Sequence, residues 1–314
     1  MSTSFLLADV GATHVRVRLV GTGGEILNEL AEVGSGVGDG TVRSLMAELN
    51  AAVRRSGIVP ADEPGGMRMV ITSRGLSAGQ GERDVVKQLA EFVNATRVTL
   101  VPDGVAGYVG CLGGEPGVVL TVGTGTIALV VDRSGRAHRL DGLGALLGDV
   151  GSGYRVGLEG LISACRWRDR RRGGSKMLLD AAVEAFGRIE DLPETLRPGS
   201  QLRSIARFAE PVVAAARMGD VTAAQILDNA ARDLAELAID ASALVTGGPG
   251  VPIAIAGGFV AAVPELAERV KAWFEHNSEY DPLFVPGSPT LDGCYEIAAH
   301  GVPEPFVSWV EELS

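Results

Sequence analysis

Apolar residues occur along this chain in short, strand-length runs that are separated by clusters of glycine. Val118–Val122 and Ile127–Val131 are rich in β-branched residues and too short for helices, so they predict two strands. Leu6–Val10 and Val15–Val20 have the same character near the N-terminus. The pattern therefore predicts two strand–turn–strand units, one early in the chain and one near its middle.

The two strand–turn–strand units align with each other in sequence. Gly11 and Gly123 lie 112 positions apart. The same offset pairs four further positions: Val15 with Ile127, Val17 with Leu129, Leu19 with Val131 and Gly23 with Gly135. One such match has little weight, whereas five in register indicate a duplicated unit.

The turn of each unit consists of small residues. Gly123-Thr124-Gly125-Thr126 and Gly11-Ala12-Thr13-His14 can expose backbone N–H groups and let a phosphate approach without a side chain in the way. A plain β-hairpin turn explains Gly123-Thr124-Gly125-Thr126 equally well at this level. A dinucleotide fingerprint does not, because it needs a helix directly after the glycines, and Ile127–Val131 predicts a strand.

The rest of the pattern alternates helices and strands, as in α/β proteins. The predicted helices are Thr41–Ser56, Arg83–Val93, Val105–Leu112, Gly157–Arg168, Lys176–Phe186, Leu202–Met218, Thr222–Val245, Pro264–Phe274 and Leu291–His300. The further predicted strands are Met67–Thr72, Thr96–Val101, Val251–Ala256 and Leu283–Val285. Loops are predicted at Ala31–Gly40 and Ser73–Gln80.

Composition and charge narrow the classes of function. The 314 residues carry a net charge of −11, so we expect no nucleic-acid or membrane partner, because their phosphates would repel this surface. Cys111, Cys165 and Cys294 lack the spacing of a disulfide framework or zinc site, which is typical of a reducing cytoplasm. We therefore expect a cytoplasmic protein. The length of 314 residues favours two domains. We also expect a homodimer.

Asp103 follows the predicted strand Thr96–Val101 and precedes a predicted helix. A carboxylate at the C-terminal end of a strand lies where ligands bind in open α/β sheets. A helix N-cap is the alternative, since aspartate is among the preferred residues there. Position alone favours the cap.

The segment Leu140-Asp-Gly-Leu-Gly-Ala-Leu-Leu-Gly-Asp-Val-Gly-Ser-Gly-Tyr154 follows the second unit. It resembles the sugar-loop segment of N-acetylglucosamine kinases and their relatives in the BadF/BadG/BcrA/BcrD-type ATPase family. The two turns resemble the phosphate motifs of the wider actin, hexokinase and heat-shock ATPase superfamily. The resemblance implies an α/β, two-domain ribonuclease H-like (actin-like ATPase) fold, with duplicated βββαβαβα-type domains and a nucleotide cleft between them.

This resemblance also implies domain boundaries. The N-terminal domain would comprise residues 1–102, joined by the C-terminal helix and tail, residues 291–314. The C-terminal domain would comprise residues 103–290.

An ATP-dependent kinase acting on the 6-hydroxyl of an amino sugar is the implied activity, with N-acetylglucosamine or glucosamine as substrate. Asp103 would be the catalytic base, and Asp9 would hold Mg²⁺ through water. The implied ATP-binding residues are Gly11, Ala12, Thr13, Gly123, Thr124, Gly125, Thr126, Gly257 and Gly258. The implied sugar-binding residues are Ser73, Asp103, Gly142, Leu143, Gly144 and Asp149.

Two of these assignments have structural alternatives. Gly257-Gly258 after a strand is often only a tight turn, and Asp149 is also suited to an Asx turn. A second activity is open as well, because ATPase activators of 2-hydroxyacyl-CoA dehydratases and benzoyl-CoA reductases share the fold. Those activators hold an iron–sulfur cluster through closely placed cysteines, and the three cysteines here are scattered.

Overall fold

The chain forms two compact units in a computed structural model. The structure describes residues 4–11, 14–21, 23–33, 42–55, 66–73, 86–91, 93–196, 201–245, 250–278, 280 and 282–313. Unit 1 comprises Met1–Glu115, Ser134–Ala137 and Gly287–Ser314, and unit 2 comprises Pro116–Arg133 and His138–Pro286. Each unit is built on one sheet.

The strands of the two sheets are numbered in the order in which they occur along the chain. They are β1 (Ser4–Val10), β2 (His14–Val20), β3 (Ile26–Val33), β4 (Met67–Ser73), β5 (Ala95–Pro102), β6 (Gly117–Val122), β7 (Thr126–Val131), β8 (Ala137–Asp141), β9 (Val251–Ala256), β10 (Pro282–Val285) and β11 (Glu311–Leu313).

The sheet of unit 1 has the order β11-β5-β4-β1-β2-β3. β1 is antiparallel to β2 and parallel to β4, and β4 is parallel to β5. All residues of β1 except Asp9 are buried, as expected of a central strand that is covered on both faces. The C-terminal end of β1 therefore lies in the middle of one sheet edge.

The sheet of unit 2 has the order β10-β9-β6-β7-β8. β6 is antiparallel to β7 and parallel to β9, and β9 is parallel to β10. The order β8-β7-β6-β9-β10 thus corresponds to β3-β2-β1-β4-β5 in unit 1. Because an offset of 112 residues carries β1 onto β6 and β2 onto β7, this shared order supports the predicted duplication.

Helices complete the two units. They are α1 (Val42–Arg55), α2 (residues 86–91), α3 (Asp103–Leu112), α4 (Gly144–Leu147), α5 (Gly153–Arg168), α6 (Lys176–Phe186), α7 (Leu192–Thr195), α8 (Gln201–Arg207), α9 (Ala209–Arg217), α10 (Val221–Ser242), α11 (Gly258–Ala262), α12 (Pro264–Asn277) and α13 (Thr290–His300). Short 3₁₀ segments lie at Ile189–Asp191 and Glu304–Trp309.

The sequence predicts one helix over Leu202–Met218, whereas the structure has two helices in this region. The structure has α8 and α9 with a break at Phe208, whose ring is buried. Pro211 explains the break, because it has no N–H to donate to the Arg207 carbonyl and its ring would clash there. In the first turn of a new helix the same proline is tolerated.

Three strands were not predicted. β3 includes residues 31–33, which we assigned to a loop, and β8 and β11 are edge strands. Edge strands bury little apolar surface, so their sequences carry only a weak alternating pattern. The remaining loop residues 34–40 lie outside the described residues.

The end of the chain packs within unit 1, where α13 lies against α3. A Cβ on Gly293 of α13 would overlap the carbonyl oxygen of Ala106 in α3, so the two backbones are in direct contact. By contacts, α3 groups with unit 1 and the division falls after Glu115, whereas we placed the boundary after residue 102. The boundaries of independently folding domains stay a prediction.

Candidate active site

The parallel strands of unit 1 end level with one another. Val10 of β1 pairs with Ser73 of β4, and Ser73 pairs with Pro102 of β5. This is the C-terminal edge of the strands, where open α/β sheets bind ligands. Four predicted site residues lie at this edge: Asp9, Gly11, Ser73 and Asp103.

Asp9 is a half-buried carboxylate at this edge. The Thr72 hydroxyl, which is fully buried, donates a 2.9 Å hydrogen bond to Asp9 Oδ1. Burial raises the pKa of Asp9 above its ordinary value, and the nearby Asp103 carboxylate also raises it, against the Thr72 hydrogen bond and the Arg16 charge. A bound cation would favour the ionised form of such a group, so Asp9 suits a divalent metal ion.

Asp103 is the first residue of α3 rather than its N-cap. The N-cap is Pro102, which makes no side-chain capping bond. Asp103 Oδ1 accepts a 2.8 Å hydrogen bond from the Gly104 amide, and the residue is half-buried. The helix start therefore fixes the direction of the Asp103 carboxylate at the sheet edge.

Several predicted residues of unit 1 have limited description. Ala12 and Thr13 lie outside the described residues, as do residues 74–80 of the predicted loop. Ser73 is placed only through its backbone pairing in β4. The roles predicted for these three residues stay predictions.

In unit 2, the turn Gly123–Thr126, here called the phosphate hairpin, joins β6 to β7. The Gly123 amide donates to the Gly125 carbonyl at 2.8 Å, and the Thr126 amide donates to Asp149 Oδ1 at 3.2 Å. The amides of Thr124 and Gly125 make no hydrogen bond within the described residues. Two consecutive open N–H groups form the kind of concave donor site that binds phosphate oxygens.

Two carbonyl groups of the phosphate hairpin accept hydrogen bonds from the start of α5. Gly153 donates to the Gly123 carbonyl at 2.9 Å, and Tyr154 donates to the Thr124 carbonyl at 3.1 Å. The first turn of α5 is therefore docked on the hairpin. The carbonyls of Gly123 and Thr124 are therefore occupied, whereas the N–H groups of Thr124 and Gly125 stay open among the described residues.

The side chain of Thr126 differs from that of Thr124 in its exposure. Its side chain is buried, and the residue is 3% exposed. The hydroxyl oxygen has no hydrogen-bond partner within the described part of the chain. Thr126 thus enters the hairpin through its backbone, whereas the half-buried Thr124 keeps a hydroxyl close to the open amides.

The glycine pair after β9 lies beside the phosphate hairpin, because Ala256 and Thr121 are register partners. Gly257 has φ +110°, and a Cβ there would clash with the Val122 backbone. Gly258 is exposed and a Cβ there would meet nothing within 4 Å. Gly257 is therefore needed for packing, and only Gly258 offers open space to a ligand.

Residues 142–150, here called the sugar loop, connect β8 to the approach of α5. Gly142 and Gly144 have positive φ, and α4 lies within the loop. Three leucines of the loop are unusually exposed, with Leu143 at 59%, Leu146 at 88% and Leu147 at 77%. The loop therefore presents apolar side chains to solvent.

Asp149 is the buried end of the sugar loop. It is 2% exposed, has φ +57°, and its carboxylate accepts the hydrogen bond from the Thr126 amide. The structure thus gives Asp149 a local role within unit 2. Its predicted contact with a sugar stays a prediction.

Asp141, which we did not predict, organises this region. Its carboxylate accepts hydrogen bonds from the amides of Asp149 at 2.8 Å and Val150 at 2.9 Å. The signal in the sequence for this role is the pair Asp141-Gly142, because aspartate side chains often accept hydrogen bonds from nearby backbone amides and aspartate tolerates positive φ. Thr72, which holds Asp9, was missed because it reads as an ordinary strand residue.

Two absences concern the described residues. No three His, Cys, Asp or Glu side chains there are grouped as metal ligands. No helix in that part of the chain is both long and apolar enough to cross a membrane.

A solved structure with this fold is that of a provisionally named N-acetylglucosamine kinase from Porphyromonas gingivalis. It superposes with a TM-score of 0.70 at 16% identity, over 95% of this chain and 100% of that one. This likeness confirms the predicted two-domain ribonuclease H-like, actin-like ATPase fold.

Curated relatives that match by sequence include two bacterial sugar kinases. An N-acetylmuramic acid/N-acetylglucosamine kinase of Clostridium acetobutylicum is 31% identical over 142 residues, which is 44% of this chain and 46% of that protein. A glucosamine kinase of Vibrio cholerae is 24% identical over 232 residues, 72% of this chain and 76% of that protein. The first match thus spans about half of the relative's length.

The widest sequence match is to a family of ATPases. Residues 8–284 match it, a range that includes the phosphate hairpin, the sugar loop and the glycine pair after β9. This match covers most of the chain and confirms the family resemblance seen in the segment Leu140–Tyr154. The chain belongs to the BadF/BadG/BcrA/BcrD ATPase family.

Proposed function

We propose that this protein is an ATP-dependent kinase that phosphorylates the 6-hydroxyl of an amino sugar. The main support for the proposal is that β1, β4 and β5 end at the same position along the sheet. Asp9 and Asp103 therefore lie near each other at one sheet edge. Phosphoryl transfer needs charge neutralisation, alignment and a proton acceptor. The names of the curated relatives, all sugar kinases, support the same activity.

ATP phosphates would bind to backbone donors. The open amides of Thr124 and Gly125 and the Thr124 hydroxyl are suited to phosphate oxygens, and Gly11 with Ala12 and Thr13 would add the matching turn of unit 1. Gly258 would leave room for the adenosine.

Asp9 would hold Mg²⁺, largely through water, since Mg²⁺ retains much of its hydration shell. The ion, when bound, neutralises charge on the phosphates. The raised pKa of Asp9 fits this assignment, because the carboxylate has no fixed protein cation strong enough to offset its burial.

Asp103 would accept the proton of the sugar 6-hydroxyl. The Gly104 amide donates a hydrogen bond to one oxygen of its carboxylate and thereby orients the group at the sheet edge. A positioned carboxylate of this kind contributes by general base catalysis.

The sugar would bind along Ser73, Gly142, Leu143, Gly144 and Asp149, with Asp103 at its reactive hydroxyl. The exposed side chains of Leu143, Leu146 and Leu147 favour a sugar with an apolar substituent, because burying them releases water from apolar surface. N-acetylglucosamine offers its acetyl methyl group, whereas glucosamine offers a charged amine. N-acetylglucosamine is therefore the first choice.

The alternative is an ATPase activator of a dehydratase or reductase system. It would need cysteines for an iron–sulfur cluster. No group of three His, Cys, Asp or Glu side chains that could hold a metal ion lies within the described residues, and Cys294 is fully buried. Iron bound stoichiometrically by the purified protein would favour the activator.

A coupled ADP-release screen tests the proposal. The panel contains N-acetylglucosamine, glucosamine, N-acetylmuramic acid, glucose and no sugar, each with Asp103→Asn as the matched control. We expect sugar-dependent ADP release that is greatest with an amino sugar and is lost in Asp103→Asn. Equal ADP release with and without every sugar would contradict a kinase.

A further inference from the structure

We propose that Asp141 is a positioning residue that couples the sugar loop to the phosphate hairpin, so that sugar and ATP strengthen each other's binding. The proposal rests on the kinase function proposed above. It concerns unit 2 alone, since Asp141, the sugar loop and the phosphate hairpin all belong to that unit.

The first step is the grip of Asp141 on the sugar loop. Asp141 ends β8 with φ +57°, and each of its two carboxylate oxygens accepts one amide, from Asp149 and from Val150. Gly148 makes room for this grip, since a Cβ there would overlap Asp141 Oδ1. A carboxylate is well suited to this grip, because each of its two oxygens is a hydrogen-bond acceptor.

A second contact holds the same turn. The Arg155 guanidinium donates from Nη2 to the Gly148 carbonyl at 2.9 Å, and from Nε at 3.2 Å. Arg155 lies in the first turn of α5, whose Ser152 caps the helix. Amide and carbonyl groups of residues 148–150 are thus held by charged side chains.

The next step leads from the loop to the phosphate hairpin. With its backbone held, Asp149 adopts φ +57° and directs its carboxylate to the Thr126 amide at 3.2 Å. Thr126 directly follows Thr124 and Gly125, whose open amides are the proposed phosphate donors. Two hydrogen bonds in series therefore connect Asp141 to the hairpin.

Coupling follows if Asp149 also contacts the sugar. A sugar hydroxyl bound to Asp149 would fix the carboxylate that holds Thr126, and so would restrict the hairpin to its phosphate-binding form. ATP bound at the hairpin would restrict Asp149 in return, because coupling between two ligands is reciprocal. Asp141 touches neither ligand and acts through Asp149.

The test compares wild type with Asp141→Asn, which keeps the shape but replaces one acceptor oxygen by an NH₂ donor. Gly148→Ala is a second variant, which displaces the Asp141 carboxylate without changing charge. Asp132→Asn is the matched control, because Asp132 pairs with His138 on the β7–β8 hairpin, away from the sugar loop. Thermal melting first confirms that each variant is folded.

Amide hydrogen exchange of the protein without ligands is one readout. We expect the amides of residues 126, 149 and 150 to exchange about fivefold faster or more in both test variants, and unchanged in Asp132→Asn. Unchanged exchange at residue 126 in both test variants would overturn the proposal.

The second readout is the affinity of a non-hydrolysable ATP analogue with and without N-acetylglucosamine. In wild type we expect the sugar to tighten nucleotide binding about fivefold or more, and in Asp141→Asn this factor falls close to one. An unchanged factor, with only the sugar affinity weakened, would reduce Asp141 to a local support and overturn the coupling, while leaving the kinase intact. Failure of the proposed function is distinct, since wild type would then bind no sugar of the panel, and the coupling would be overturned with it.

Discussion

The buried hydroxyl of Thr72 donates a 2.9 Å hydrogen bond to the carboxylate of Asp9, across the parallel pair β1–β4. The two residues are direct register partners, so the contact is fixed by the sheet itself. It holds a carboxylate that burial and Asp103 make reluctant to ionise. When ionised, such a carboxylate destabilises the folded protein unless a cation binds to it.

Replacing Asp9 by Asn tests that cost. Because the folded-state pKa of Asp9 is raised, the ionised carboxylate destabilises the folded protein, fully above the raised pKa and not below about 3.9. Asp9→Asn keeps an acceptor for Thr72, so we expect a higher melting temperature at neutral pH without nucleotide. The gain should shrink as the pH falls through the raised pKa of Asp9.

The same variant should lose catalytic turnover. The control is Asp180→Asn, which removes an exposed carboxylate paired with Lys176 and should change neither property appreciably. Lower stability of Asp9→Asn at neutral pH would show that the Asp9 charge is satisfied within the protein, against its proposed role at a metal ion.

Asp103→Asn removes the proposed base but keeps the oxygen that accepts the Gly104 amide. We expect kcat to fall by ~10²–10⁴ while the KM for the sugar changes about threefold or less. Steady-state kinetics with saturating ATP measure both values. Turnover close to that of wild type would reduce Asp103 to a structural residue at the start of α3.

The two threonines of the phosphate hairpin form a matched pair. Thr126→Val removes a buried hydroxyl without a partner, so we expect stability to rise by about 1 kcal/mol, with ATP affinity kept. Thr124→Val removes a hydroxyl close to the open amides, and we expect ATP affinity to fall about tenfold. If Thr126→Val weakens ATP instead, its hydroxyl must turn towards the phosphates when nucleotide binds.

Gly257 and Gly258 form a second matched pair. Gly257→Ala faces both an unfavourable φ and a clash with the Val122 backbone, so we expect a loss of about 2 kcal/mol or more in unfolding free energy. Gly258→Ala should leave stability within about 0.5 kcal/mol. Chemical denaturation measures both, and equal losses would show that the two positions are not distinguished by packing.

Regular elements were predictable wherever burial imposes a pattern. The β6–β7 pair and α6 follow from β-branched runs and helical spacing, and the offset between Gly11 and Gly123 anticipated the shared strand order of the two sheets. β8 was missed because this edge strand is only partly buried and has no apolar alternation. The predicted helix through Phe208 ignored Pro211, whose missing N–H ends one helix and permits the next.

The site was predictable at the level of residue types, but not of partners. Glycine and threonine in the turns pointed to phosphate, whereas the assignment of open amides to Thr124 and Gly125 required the hydrogen bonds of Gly123 and Thr126. The grip of Asp141 on the sugar loop depends on contacts eight and nine residues away in a turn without periodic pattern. Beyond the turn-prone pair Asp141-Gly142, the sequence carries no signal of this contact, because it arises from the tertiary structure of the turn.

Product analysis tests the central claim most directly. The protein is incubated with ATP, Mg²⁺ and N-acetylglucosamine, and the phosphorus-containing products are identified by ³¹P NMR with proton coupling. We predict one phosphate monoester coupled to the two protons of C6, with an equal amount of ADP, and neither in Asp103→Asn. Inorganic phosphate and ADP without any sugar phosphate, from this sugar or any other of the panel, would contradict a sugar kinase.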